Sequence, residues 1–112
     1  MGVFEVVSKL GKRIRLTEIQ WAHMRSRHPE LVDQLENMKV TLVDPDFVYH
    51  SPKEENHQYN KKFKKTPVTE KFLLLAVKHL NGEGFVITGF FVSRIRRKDK
   101  VLLYEKEDIH KL

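Results

Sequence analysis

Apolar and charged positions alternate at the start of the chain. Val3-Phe4-Glu5-Val6-Val7, a turn around Leu10-Gly11-Lys12, and Arg13-Ile14-Arg15-Leu16 follow the period of two that a half-buried strand requires, so the opening predicts a β-hairpin. The period changes at Thr17. This residue stands three before Gln20, with Glu18 between them, the spacing of a capping box with an acidic first turn; a helix is predicted from here to about His28. Pro29 ends it, because the residue before a proline is pushed out of the α region. Pro29-Glu30 then suits the first turn of a second, shorter helix through Leu31, Val32, Leu35 and Met38. Val40 to Val43 connects this helix to the turn signal Asp44-Pro45-Asp46.

The remainder reads as strands: Phe47 to His50, His57 to Lys64, Phe72 to Leu80, Phe85 to Ser93 and Val101 to Tyr104, with Ser51 to Glu55 a loop containing Pro52. Asn81-Gly82 predicts a type I′ hairpin that pairs the third and fourth of these strands, with Thr88 opposite Leu75 or Val77 and on their face. Helices first and strands afterwards make an α+β domain: an N-terminal hairpin and two helices packed on an antiparallel β-sheet meander.

Composition narrows the classes of function. At 112 residues, with 40% hydrophobic and 32% charged, the chain is long enough for one domain, 1–112, and too short for two. It has no Cys, which removes disulfides, thiolate zinc sites, Fe–S clusters and a cysteine nucleophile. The longest apolar run, Phe72 to Val77, falls far short of the roughly 20 residues a membrane-spanning helix needs. The first residues lack a basic segment followed by an apolar one, so no signal peptide is read and a cytoplasmic protein without a membrane partner is expected. Twenty-one Lys and Arg against fifteen Asp and Glu give a net charge of +6, which favours a polyanionic partner.

Within the first helix, His23 and Arg27 lie one turn apart on the same stripe, whereas His28 falls about 140° from His23 and back over Trp21. His23 and His28 are therefore poor co-ligands for zinc, and with no acidic third ligand nearby no metal or cofactor is expected. His28, beside Pro29 at a helix end, reads either as a group bonding a last-turn carbonyl or as a proton-transfer group. His23 and Arg27 read either as a solvated face or as the pair that metal-free RNA cleavage needs. In the second reading the imidazole moves a proton and the guanidinium stabilises charge at phosphorus.

The run Tyr59-Asn60-Lys61-Lys62-Phe63-Lys64-Lys65 interleaves four lysines with two aromatics. As a strand it points Tyr59, Lys61, Phe63 and Lys65 one way and Lys62 and Lys64 the other, either as edge protection or as a phosphate-tracking edge with Tyr59 to stack on a base. A second basic cluster, Arg94, Arg96, Arg97, Lys98 and Lys100, follows the fourth strand. Thr88 is the one clearly polar residue within Phe85 to Val92, either a plain β former or a hydroxyl donor to a phosphate. Arg94 shares its parity but lies roughly 20 Å further along a straight strand, so the two cannot share a phosphate unless the strand bends at Gly89.

Trp21-Ala22-His23, Arg27-His28-Pro29-Glu30-Leu31, Asp44-Pro45-Asp46-Phe47-Val48, Tyr59 and Phe85-Val86-Ile87-Thr88-Gly89-Phe90 together resemble the phage-associated branch of the barnase, EndoU, colicin and RelE-like (BECR-fold) nucleases. The resemblance covers about residues 14 to 104. It implies a helical segment on a four-stranded antiparallel sheet and a metal-independent, toxin-like endoribonuclease. His23, Arg27, His28, Tyr59 and Thr88 fall at the family's functional positions, and RNA and a cognate inhibitor or antitoxin protein are the implied partners. The chain departs from the family at Thr88-Gly89-Phe90, where Thr-Ala-Tyr is usual, and at Tyr104, where a Trp is common. The combined expectation is a catalytic set of His23, Arg27, His28 and Thr88, and an RNA-binding set of Tyr59, Lys61, Lys62, Lys64, Lys65, Arg94, Arg96 and Arg97. The alternatives are a catalytically silent nucleic-acid-binding module on the same basic groove and an interaction protein of a toxin and antitoxin pair.

Overall fold

Strand β1 (Gly2–Val7) pairs antiparallel with β2 (Arg13–Thr17), as the alternation requires: Ile14 and Leu16 are fully buried while Arg13, Arg15 and Thr17 face solvent. These elements belong to a computed structural model that describes residues 2–107; Met1 and residues 108–112 of the expected domain lie outside the described residues. Helix α1 (Glu18–Arg27) starts where the Thr17 hydroxyl accepts the Gln20 N–H at 3.2 Å. Only half of the capping box forms. The Gln20 side chain turns toward the sheet and donates to the Ile87 carbonyl, which ties the helix to it.

The second helix differs from expectation. Pro29–Leu31 make a single 3₁₀ turn that drives Leu31 into the core, and the true helix, α2 (Leu35–Val43), begins later and includes the stretch expected to be a connection. Its buried stripe is Met38, Thr41 and Leu42, so burial rather than the proline sets its limits.

Among the described residues, seven strands form one sheet in the order β1-β2-β6-β5-β4-β3-β7. Strands β3 (Phe47–Ser51), β4 (Asn56–Lys62), β5 (Phe72–His79) and β6 (Glu83–Val92) make the antiparallel meander. Two pairings depart from a simple meander. β2 runs parallel to β6, with Ile14 beside Gly84, and β7 (Val101–Glu105) crosses the sheet to pair with β3. Gly84 lets β6 sit close to both neighbours, since a Cβ there would lie 3.0 Å from the Ile14 side chain of β2 and 2.3 Å from the Lys78 carbonyl of β5.

The β5–β6 hairpin forms at Asn81-Gly82, but only Gly82 is left-handed, at φ 77°, so the turn is not type I′, which needs positive φ at both positions. Its register also corrects the expectation for Thr88. Val86 faces Val77 and Thr88 faces Ala76, so Ile87 is an extra residue, a bulge. Thr88 therefore leaves the face of Leu75 and Val77. On that face Leu73, Leu75, Val77 and Tyr59 pack with Met24, Leu31, Met38 and Leu42 of the helical layer. The opposite face is crossed by residues 93–100 on their way from β6 to β7. Among the described residues no helix is long and apolar enough to cross a membrane.

Candidate functional site

Because β2 pairs only with residues Glu83 to Phe85, no strand among the described residues covers the rest of β6 on that side, and α1 lies along it. One stripe of the helix faces the bare edge. Gln20, His23, Met24 and Arg27 of α1 and Ile87 and Thr88 of β6 line a depression of about 340 Å³. His23 and Arg27 are exposed and Thr88 is half-buried. Gly89 allows the close approach: a Cβ there would meet Leu75 Cδ2 at 2.6 Å and Met24 Cε at 3.3 Å. The bulge that displaces Thr88 from the core face also brings its residue into this depression, so three of the four expected catalytic residues meet at one place.

His28 does not line it. It caps α1, its backbone N–H donating to the Met24 carbonyl at 2.8 Å; its Nδ1 is 3.7 Å from the Glu30 carboxylate, and its ring lies 5.6 Å from that of Phe90. The position is that of a helix-end group.

A larger cavity, of about 750 Å³, opens on the face away from the helices, and Thr88 lines it too. Its apolar floor is Leu74, Ala76, Phe90 and Val92, and Arg94, Arg96 and Lys100 contribute cations. Thr88 and Arg94 thus share one cavity despite their separation in sequence. Gln58, only 3% exposed, organises the polar side: its Oε1 accepts from Lys100 Nζ at 2.8 Å, and its Nε2 donates to Glu54 at 3.3 Å and to Asn56 at 3.0 Å. Arg97 lies elsewhere, its guanidinium 5.4 Å from the Phe47 ring centroid.

The β4 expectations need correction. Tyr59 is fully buried and has no face on which a base could stack, because β4 is an interior strand and Tyr59 points to the helical layer. Lys61 shares that direction and is engaged within the protein: its side chain is 14% exposed, and Nζ donates to the Asp44 carbonyl at 2.8 Å and lies 3.4 Å from Asp44 and 3.8 Å from Asp46 carboxylate oxygens. The hydrogen-bonded Lys106 ammonium, and then Lys61, hold the Asp44 carboxyl below its usual range. β4 ends at Lys62, so Lys64 and Lys65 belong to the loop before β5, and no strand alternation applies to them. Lys62 is exposed, its Nζ 6.0 Å from the Phe72 ring centroid.

Sequence reasoning missed a column of histidines. His50 and His57 oppose each other across β3 and β4 with ring centroids 4.7 Å apart, and His57 stacks on His79 of β5 at 3.7 Å. The Tyr59 hydroxyl donates to Ser8 Oγ at 2.8 Å and lies 3.0 Å from His79 Nε2. Burial pushes His79 down to about 4, with His57, Lys12 and His50 adding to it; burial also lowers His57, helped by His50, Lys12 and Lys78. The spacing of His57 and Tyr59 was readable as a shared face, but His50 and His79 join them only through the register. Among the described residues no group of three or more His, Asp or Glu is placed to hold a metal ion. No protein-family model, curated protein or solved structure matches the chain.

Proposed function

We propose that this chain is a metal-independent, toxin-like endoribonuclease of BECR type that works at the depression between α1 and β6. The observation that carries the reading is that His23, Arg27 and Thr88 line one open depression, with no Asp or Glu among its described lining residues. His23 is the general base that takes the 2′-hydroxyl proton as that oxygen attacks the adjacent phosphorus. Arg27 and Thr88 donate to the non-bridging oxygens as negative charge grows on them. The bond from phosphorus to the 5′-oxygen breaks, water in the open depression protonates the departing oxygen, and a 2′,3′-cyclic phosphate remains. The cations of Arg94, Arg96 and Lys62, with the net charge of +6, draw the polyanion to the surface.

Incubation of the purified protein with total RNA in EDTA tests this. Cleavage that proceeds at the same rate with and without chelator, and that falls at least tenfold in Arg27→Lys, is the expected result, because lysine keeps the charge and loses the planar fork. RNA binding without cleavage from pH 5 to 8 would favour a silent binding module instead.

A further inference from the structure

We propose that the cavity between the open sheet face and the β6–β7 connection is a subsite for one unpaired nucleotide. Its place beside a scissile phosphate rests on the ribonuclease reading above, whereas its ligand chemistry does not.

The cavity combines three kinds of wall. Its floor of Leu74, Ala76, Phe90 and Val92 is apolar and includes an aromatic ring, suited to the face of a flat heterocycle. Arg94 and Arg96 are exposed and take part in no ion pair among the described residues, so an anionic ligand is the counterpart they lack. Glu54 brings a carboxylate among these cations, held by the Ser51 hydroxyl at 3.0 Å and by Gln58 at 3.3 Å, and it calls for N–H donors on the ligand. Inorganic phosphate would use only the arginines, and an apolar molecule only the floor. A nucleotide answers all three, with its ring on the floor, its exocyclic or ring N–H toward Glu54 and its phosphate toward Arg94 and Arg96.

The site is organised before any ligand arrives. Lys100 is fixed through Gln58 Oε1 at 2.8 Å and Arg97 lies over Phe47, so the second half of the connection is anchored to β4 and β3. About 750 Å³ takes a nucleotide and excludes a base-paired helix, which selects an unpaired strand. Thr88 lines this cavity and the α1 depression, so a strand with one nucleotide seated here presents its neighbouring phosphate to His23 and Arg27 around the edge of β6.

The test titrates the four nucleoside 5′-monophosphates and inorganic phosphate into the full chain, followed by calorimetry and amide NMR shifts. At least one nucleotide is expected to bind on the order of tenfold tighter than phosphate, with shifts at Ala76, Phe90 and Arg94, and Arg94→Ala with Arg96→Ala should weaken it on the order of tenfold with the melting temperature unchanged. Nucleotides that bind no tighter than phosphate, or whose binding ignores the two arginines, would overturn the subsite while leaving RNA cleavage untouched. Arginine-dependent nucleotide binding in a protein that cleaves no RNA would uphold the subsite and overturn only the ribonuclease reading.

Discussion

The imidazoles of His57 and His79 lie face to face, 3.7 Å between centroids and 16° from parallel, at the ends of β4 and β5. Two charged rings cannot share that spacing at low cost. His50 stacks on the outer side of His57, and Lys12 and Lys78 add positive charge, so the column is stable only with its buried rings neutral.

Stability should therefore depend on pH in a defined window. His79 is held at about 4 and His57 is also lowered, against about 6.5 for an unfolded histidine, so unfolding takes up protons between these values. Full stability is expected above pH 6.5, with progressive loss as pH falls toward 4. Thermal unfolding from pH 7.5 to 4 measures it, and His79→Gln should flatten the profile. A melting temperature that is constant across that interval would show the column to be proton-insensitive.

Tyr59→Phe removes a hydroxyl bonded to Ser8 and His79 and leaves both partners poorly satisfied in a buried place. A loss of about 1–3 kcal/mol in urea unfolding is expected, with RNA affinity unchanged because the ring never meets solvent. Weakened RNA binding with intact stability would place the Tyr59 hydroxyl in contact with RNA and contradict its role in the core.

Neighbouring lysines should behave oppositely. Lys61→Ala loses the contacts to Asp44 and Asp46 and should cost about 1 kcal/mol of stability without altering the salt dependence of RNA binding. Lys62→Ala with Lys64→Ala should keep the stability and lower the log–log salt slope by roughly 0.7 for each lost phosphate contact to single-stranded RNA. An unaltered slope in that double variant would make these two lysines edge protection alone.

Gly89→Ala puts a methyl group 2.6 Å from Leu75 Cδ2 and 3.3 Å from Met24 Cε, pressing α1 away from β6. About 1–3 kcal/mol of destabilisation is expected. Cleavage per folded molecule should fall with it, since Met24 sits between His23 and Arg27; a fully active, equally stable variant would mean the helix position is not critical.

Local signals in the chain carried far. The alternation from Arg13 to Leu16, the Thr17 cap and the Asn81-Gly82 hairpin each set an element through contacts within a few residues, and all three formed. The stripe of His23 and Arg27 was also legible, because helical spacing fixes it. What escaped depends on distant partners. The bulge at Ile87, which decides the direction of Thr88, is a property of the β5–β6 ladder, and the parallel placement of β2 beside β6 joins segments separated by most of the chain. Tyr59 and Lys61 read as a basic edge because nothing local says that β4 is interior, and the histidine column appears only once three strands are in register.

Whether His23 moves a proton in RNA cleavage, as proposed, is decided by His23→Ala, assayed in EDTA for both cleavage and RNA affinity. The side chain is exposed, so the fold should survive its removal. A cleavage rate lower by about a hundredfold or more is expected, the usual scale for a general base, with affinity kept within a few-fold. A His23→Ala protein that cleaves RNA as fast as the parent would remove His23 from the chemistry.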